Sequence, residues 1–115
     1  MTDVQGEDYQ VSYEPDTFTV KCCGSFHLNG SQGYAPITTL FDQVVEQTPP
    51  KIILNVEQLK FMNSSGINTL SKFVIKVRKK KTIQMSVVGS QQFDWQDKLL
   101  RNLGVLMPGL QFEWK

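Results

Sequence analysis

Residues Lys60–Ile67, KFMNSSGI, place a carboxamide, two hydroxyls and a glycine at one point of the chain. They follow the most apolar run, KIILNV, and precede an amphipathic stretch, INTLSKFVIKV, so they sit where a buried strand gives way to a helix. Asn63, Ser64 and Ser65 each carry a side-chain oxygen that can cap that helix, worth about 1 kcal/mol for one orphan N–H. Gly66 lacks a Cβ and lets another chain or a phosphate approach the backbone closely. Two uses compete here: a plain helix cap, or a hydroxyl presented to another molecule. Phe61 and Met62 carry the same ambiguity, as core residues or as an apolar contact beside the serines.

The other reactive side chains are few. His27 is the single histidine and lies in a loop-like segment, GSFHLNGSQG, where it meets solvent, a hydrogen-bonding neighbour or a partner. One histidine, two adjacent cysteines and no nearby acidic cluster do not spell a zinc site, so no metal and no other cofactor is expected. Cys22 and Cys23 are the only cysteines and are neighbours, which rarely bridge; this favours a reduced, cytoplasmic setting. The glycine-rich loop lacks the Gly-Lys-Ser/Thr ending of a P-loop. Ser64 has no G-x-S-x-G elbow around it and, with His27, no third group to orient a base, so an enzyme is not expected.

These residues need a scaffold, and 115 residues with 40% hydrophobic content supply one core, read as a single domain over 1–115. Residues 1–7 read as a flexible N-terminal segment. MTDVQGEDYQ has neither the basic start nor the apolar stretch of a signal peptide. No run approaches the roughly 18 apolar residues of a bilayer span. The net charge of +1 does not draw the whole molecule to nucleic acid or membrane, and neither is expected as a partner. Charge is nonetheless uneven. Lys60, Lys72, Lys76 and the run Arg78–Lys81 fall between Gln58 and Phe93, a stretch without Asp or Glu. The VRKKK run lacks interleaved aromatics and reads as a solvated helix end.

Tyr9, Val11 and Tyr13, then Phe18, Val20 and Cys22, alternate with polar residues and predict an N-terminal hairpin. Pro36 suits a first helical turn, and Ile37, Leu40, Phe41, Val44 and Val45 follow at helical spacing until Thr48-Pro49-Pro50 stops them. Ile52, Ile53, Leu54 and Val56 predict a strand covered on both faces. A second helix opens at NSSG, with Ile67, Leu70, Phe73, Val74 and Val77 inward and the basic run at its negative end. Ile83, Met85 and Val87 predict a strand, Phe93–Leu103 a third helix stopped at Gly104, and Gln111–Trp114 a last strand. The order β-β-α-β-α-β-α-β predicts an α/β domain with a mixed sheet, parallel in its later part, and helices packed on it.

The block KIILNVEQLKFMNSSGINTL resembles the signature of the STAS family, the bacterial anti-sigma-factor antagonists and their relatives. There a buried strand, a short loop and an apolar pair lead into D-S-S-G at a helix start. GSFH stands where the family often has G-x-L-D, and NLGVLMPGLQFEW resembles its last helix end and strand. The resemblance implies a non-enzymatic regulator of transcription in a signalling pathway. Its partners would be an anti-sigma factor that is itself a serine kinase, and a PP2C-type phosphatase. The phosphorylated position would be Ser64, with Ser65 the alternative. Partner contacts would come from Phe61, Met62, Asn63, Ser64, Ser65, Gly66, Asn68 and His27. Three departures stand out: Asn63 in place of the Asp, His27 in place of the loop Asp, and no C-terminal helix after the last strand. They keep open a second reading, a constitutive scaffold of the same fold that is never phosphorylated.

Overall fold

Val11 and Tyr13 point inward along β2 (Tyr9–Glu14), and Val20 and Cys22 do the same along β3 (Thr19–Phe26). The two strands pair antiparallel with Val11 opposite Cys22 and Tyr13 opposite Val20, so one apolar face is built from the expected hairpin. The structure, a computed structural model, describes residues 3–115. Within the segment predicted to be flexible, β1 (Asp3–Gln5) instead pairs antiparallel with β2 and sets Val4 opposite Val11, against the core. One apolar residue in three gives no periodicity to read. Met1 and Thr2, the rest of that prediction's start, lie outside the described residues.

A single turn, α1 (Gly30–Gly33), leads into α2 (Ala35–Glu46), which carries Pro36 in its first turn and buries Ile37, Leu40, Phe41, Val44 and Val45 as the spacing predicts. β4 (Lys51–Met62) then runs parallel to β3, α3 (Ser64–Lys80) follows it, and β5 (Gln84–Gly89), α4 (Trp95–Leu106) and β6 (Gln111–Trp114) complete the chain. The sheet order is β1-β2-β3-β4-β5-β6, antiparallel for the first two pairs and parallel for the other three. The chain is thus an α/β domain with a mixed six-stranded sheet.

β4 differs from its sequence reading in two ways. Its burial alternates, with Ile52, Leu54 and Val56 sealed and Ile53, Asn55 and Glu57 half-exposed, so it is covered on one face rather than both. Ser12, Lys21 and Asn55 lie in register across the uncovered face, none of them buried. β4 also continues to Met62, well past Val56. The register slips between Lys21 and Cys23 and again between Gly24 and Ser25, so two bulges shift the inward positions from Val56 to Leu59 and then to Met62. Each bulge breaks the period of two on which strand recognition depends.

α3 buries Leu70, Phe73, Val74 and Val77, and Phe73 stacks on Phe41 of α2 with ring centroids 4.2 Å apart. Ile67, predicted inward with them, is only half-buried. The helix ends at Lys81 in the left-handed region, φ 62°, with Arg78, Lys79 and Lys80 in its last turn facing the negative end of the dipole. α4 does not stop at Gly104 but runs on to Leu106. A Cβ at Gly104 would stand 3.0 Å from Cζ of Phe112, so this glycine admits the last strand instead of ending the helix.

Candidate functional site

β3 and β4 stay paired to their ends, Ser25 opposite Phe61 and Phe26 opposite Met62, and the Asn63 N–H then donates to the Phe26 carbonyl at 2.9 Å. This aims the start of α3 at the loop after β3. Asn63, in extended conformation, is the N-cap. Its Oδ1 accepts from the Gly66 N–H at 2.9 Å and from the Tyr34 hydroxyl at 2.8 Å, while its Nδ2 donates to the Leu28 carbonyl at 2.8 Å. One carboxamide therefore joins the helix start, the β3 loop and the beginning of α2. Gly66 is required beneath it, because a Cβ there would fall 2.6 Å from Cγ of Met62 and 2.8 Å from the Tyr34 hydroxyl.

With the cap assigned to Asn63, Ser64 and Ser65 become the first two residues of the helix proper. Ser64 is exposed, and none of the hydrogen bonds that build the turn uses its hydroxyl. Ser65 is half-buried, and its carbonyl accepts from the Thr69 hydroxyl at 2.9 Å. The backbone N–H groups of a helix's first residues have no intrahelical acceptor and point toward the positive end of the dipole. A phosphoryl group on Ser64 would thus be held where anions are favoured. The geometry supports acceptance of a charged group at Ser64 without disturbance of the cap.

The carboxamide cannot be exchanged for a carboxylate at no cost. Asn63→Asp keeps both acceptor bonds but sets a carboxylate oxygen against the Leu28 carbonyl, where a donor now sits. The expected loss is about 1–2 kcal/mol in chemical denaturation, partly offset by the helix dipole. The loss should shrink below the carboxylate range, where the protonated acid regains a donor.

The residues named from the sequence divide into two groups. Phe61 is 50% exposed and packs edge-on against His27, ring centroids 6.1 Å apart. His27 is exposed, with Nε2 3.2 Å from Oδ2 of Asp8. Asn68 is exposed one turn beyond Ser64. His27, Phe61, Asn68 and Ser64 are thus all exposed, while Asn63 is half-buried at the cap. Met62 and Gly66, named alongside them as contacts, are buried and shape the turn from beneath. Cys22 is fully buried, and burial, with Cys23 beside it, pushes its thiol well above the usual range. A protonated, inaccessible thiol is a poor nucleophile.

Three supports escaped the sequence. Tyr34 is buried beneath the cap, and Trp95 donates its indole N–H to the Lys60 carbonyl at 3.0 Å. Gln96 is 0% exposed; its Nε2 donates to the carbonyls of Val56 at 2.8 Å and Leu59 at 2.9 Å, and its Oε1 accepts from the Ser90 N–H at 2.9 Å. Carbonyls that the bulged end of β4 cannot offer to a neighbouring strand are taken by α4. Gln96 lies in the polar run QQFDWQDK, which carries no sign that one glutamine is internal.

Burial also raises the pKa of the Tyr34 phenol, despite an opposing hydrogen bond to the backbone at Leu28, and that of the Cys22 thiol. A group whose folded pKa lies above its unfolded value contributes stability in full below the unfolded value and loses it as pH rises. The stability these two groups contribute should therefore be constant up to about pH 9, the ordinary thiol value, and be lost above it. Urea midpoints measured from pH 7 to 11 check this. Cys22→Ala and Tyr34→Phe should each reduce the alkaline slope.

The family model described as STAS domain matches residues 35–106, a segment that holds α2, β4, the NSSG turn, α3, β5 and α4. Among curated proteins none matches the chain.

Proposed function

The chain belongs to the STAS domain family, and on that premise we propose that it is a non-enzymatic regulator that docks on a serine kinase of the anti-sigma type. The Ser64 turn and its His27–Phe61 rim form the docking surface. The kinase transfers a phosphoryl group to the Ser64 hydroxyl, the added charge weakens the complex, and a PP2C-type phosphatase restores it. The setting is cytoplasmic. One observation carries this reading: Asn63 performs the capping alone, which leaves Ser64 exposed at the positive end of α3 with its hydroxyl unused in the turn. A phosphate placed there is favoured by the helix, so the domain stays folded while its surface charge changes. The switch is local electrostatics at a rigid surface.

The constitutive scaffold is the second reading. It is favoured by Asn63, which fixes the turn through neutral hydrogen bonds and leaves no acidic group beside the serine. Partner titrations with Ser64→Asp separate the two. The switch predicts weakening by about tenfold, the factor a single added surface charge can supply against a charged partner. The scaffold predicts an unchanged affinity.

A further inference from the structure

Arg78, Lys79, Lys80 and Lys81 close α3 within a single turn, and all four are exposed. Among the described residues none of them pairs with a carboxylate. Nη1 of Arg78 donates to the Leu106 carbonyl at 3.0 Å, which ties this basic turn to the last residue of α4. There the chain reads Val105-Leu106-Met107-Pro108-Gly109, without a charged, amide or hydroxyl side chain, and none of these residues is buried. Val105 is 78% exposed, and the ring of Phe112, also exposed, lies against Gly104 just before it. In sequence the basic run alone reads as a solvated helix end. What the fold adds is the apolar loop that α4 brings alongside it.

Charge at this end of the molecule is sided. α3 packs against both α2 and α4. Toward α2, Asp42 and Glu46 line a cavity of about 270 Å³ with Lys76, Lys79 and Lys80, and Asp42 is paired with Lys76. The turn between β2 and β3, with Asp16, also reaches this end, since the Phe18 carbonyl accepts from the Ile53 N–H. In the sheet it lies across β4 from β5, the strand on which α4 packs. Toward α4 the carboxylates are missing from the chain itself, because no residue from Lys98 to Phe112 is acidic. Cations and carbon surface therefore share the α3–α4 side.

We propose that this end is a peripheral docking surface for an anionic lipid bilayer. A polybasic cluster is drawn to acidic headgroups, each Lys or Arg adding to the attraction. An apolar tip that enters the headgroup boundary is the second signal such binding needs. Other occupants fit less well. A phosphate backbone finds no match in Val105, Met107 and Phe112. An acidic peptide meets Asp42 and Glu46 in the cavity at this end. A second copy sets one basic run against another. α3 is 17 residues long, about 24 Å, with the basic turn at one end and Ser64 at the other. A domain seated on lipid by Arg78–Lys81 thus holds Ser64 away from the surface.

Co-sedimentation of the full chain with lipid vesicles tests this. Vesicles with about 30% phosphatidylglycerol in phosphatidylcholine should bind it roughly tenfold better than phosphatidylcholine alone, and the difference should vanish as salt rises. Lys79→Gln, Lys80→Gln and Lys81→Gln combined should cut binding about 100-fold. Val105→Ser should cut it about fivefold and keep the salt dependence. These side chains are exposed, so melting curves should match the wild type. If the combined variant melts early, Lys80→Glu alone takes its place and should cut binding about tenfold. Ser64→Ala should bind vesicles as the wild type does, which separates this surface from the switch. Equal binding to the two vesicle types, or lysine variants that bind like the wild type, overturns the proposal. So does preference for duplex DNA or polyglutamate over the anionic vesicles, because the occupant is then a nucleic acid or an acidic protein. Self-association that Val105→Ser abolishes overturns it too, in favour of a second copy.

Discussion

Gln96→Leu should lower stability by about 3 kcal/mol or more in urea denaturation, the largest effect expected of any single substitution near the site. The leucine fills most of the same volume, so the loss comes from hydrogen bonding. Gln96 is fully buried and serves the carbonyls of Val56 and Leu59 and the N–H of Ser90. Each of these groups, stripped of its partner away from water, costs about 1–3 kcal/mol. Domains of this size are stable by only about 5–15 kcal/mol, so the change removes a large share of the whole. Gln91→Leu is the control. That residue is exposed, and its replacement should stay within about 0.5 kcal/mol of wild type. Equal small shifts for both variants would mean that α4 does not hold the bulged end of β4.

Phosphoserine installed at position 64 should weaken the partner complex by roughly 100-fold, about 2.7 kcal/mol, while the fold is retained. The modification adds about 1.5–2 negative charges and three acceptor oxygens. At the first residue of α3 these meet free N–H groups, so the thermal midpoint should hold or rise slightly. The partner meets the same charge across an interface, where like-charge juxtaposition costs several kcal/mol. Calorimetric titration of the modified and unmodified chains reads the affinity, and a melting curve reads the fold. Treatment with a PP2C-type phosphatase should restore binding. A collapse of the fold on modification would contradict the account as surely as an unchanged affinity.

What the sequence disclosed follows from period. The stripe Ile37–Val45 and its successor Leu70–Val77 each repeat at 3.6 residues, and both helices lie where that repeat places them. The hairpin alternates and pairs as read from Tyr9 to Glu14 and from Thr19 to Cys22, but Phe18, read as part of its second strand, lies in the turn at a φ of 56°. Where period failed, a local irregularity explains it. Two bulges hide the second half of β4, and β1 is too short to alternate. Gly104 carries the composition of a helix stop yet serves the close approach of Phe112. At the turn, the sequence offered Asn63, Ser64 and Ser65 as equal candidates for the cap. Asn63 prevails because its carboxamide accepts from Gly66 and Tyr34 through Oδ1 and, through the separate Nδ2, reaches the Leu28 carbonyl. That choice depends on two partners about 30 residues away in the chain, Tyr34 and Leu28, and no local pattern encodes it.

The central claim is that the Ser64 hydroxyl, spared from capping, is the group another protein modifies. Incubation of the chain with ATP and a candidate anti-sigma-type serine kinase, followed by site mapping with mass spectrometry, tests it most directly. The account predicts a single phosphate on Ser64 and none on the Ser64→Ala chain. Phosphate confined to a site outside residues 63–69, or undiminished modification of Ser64→Ala, would contradict it.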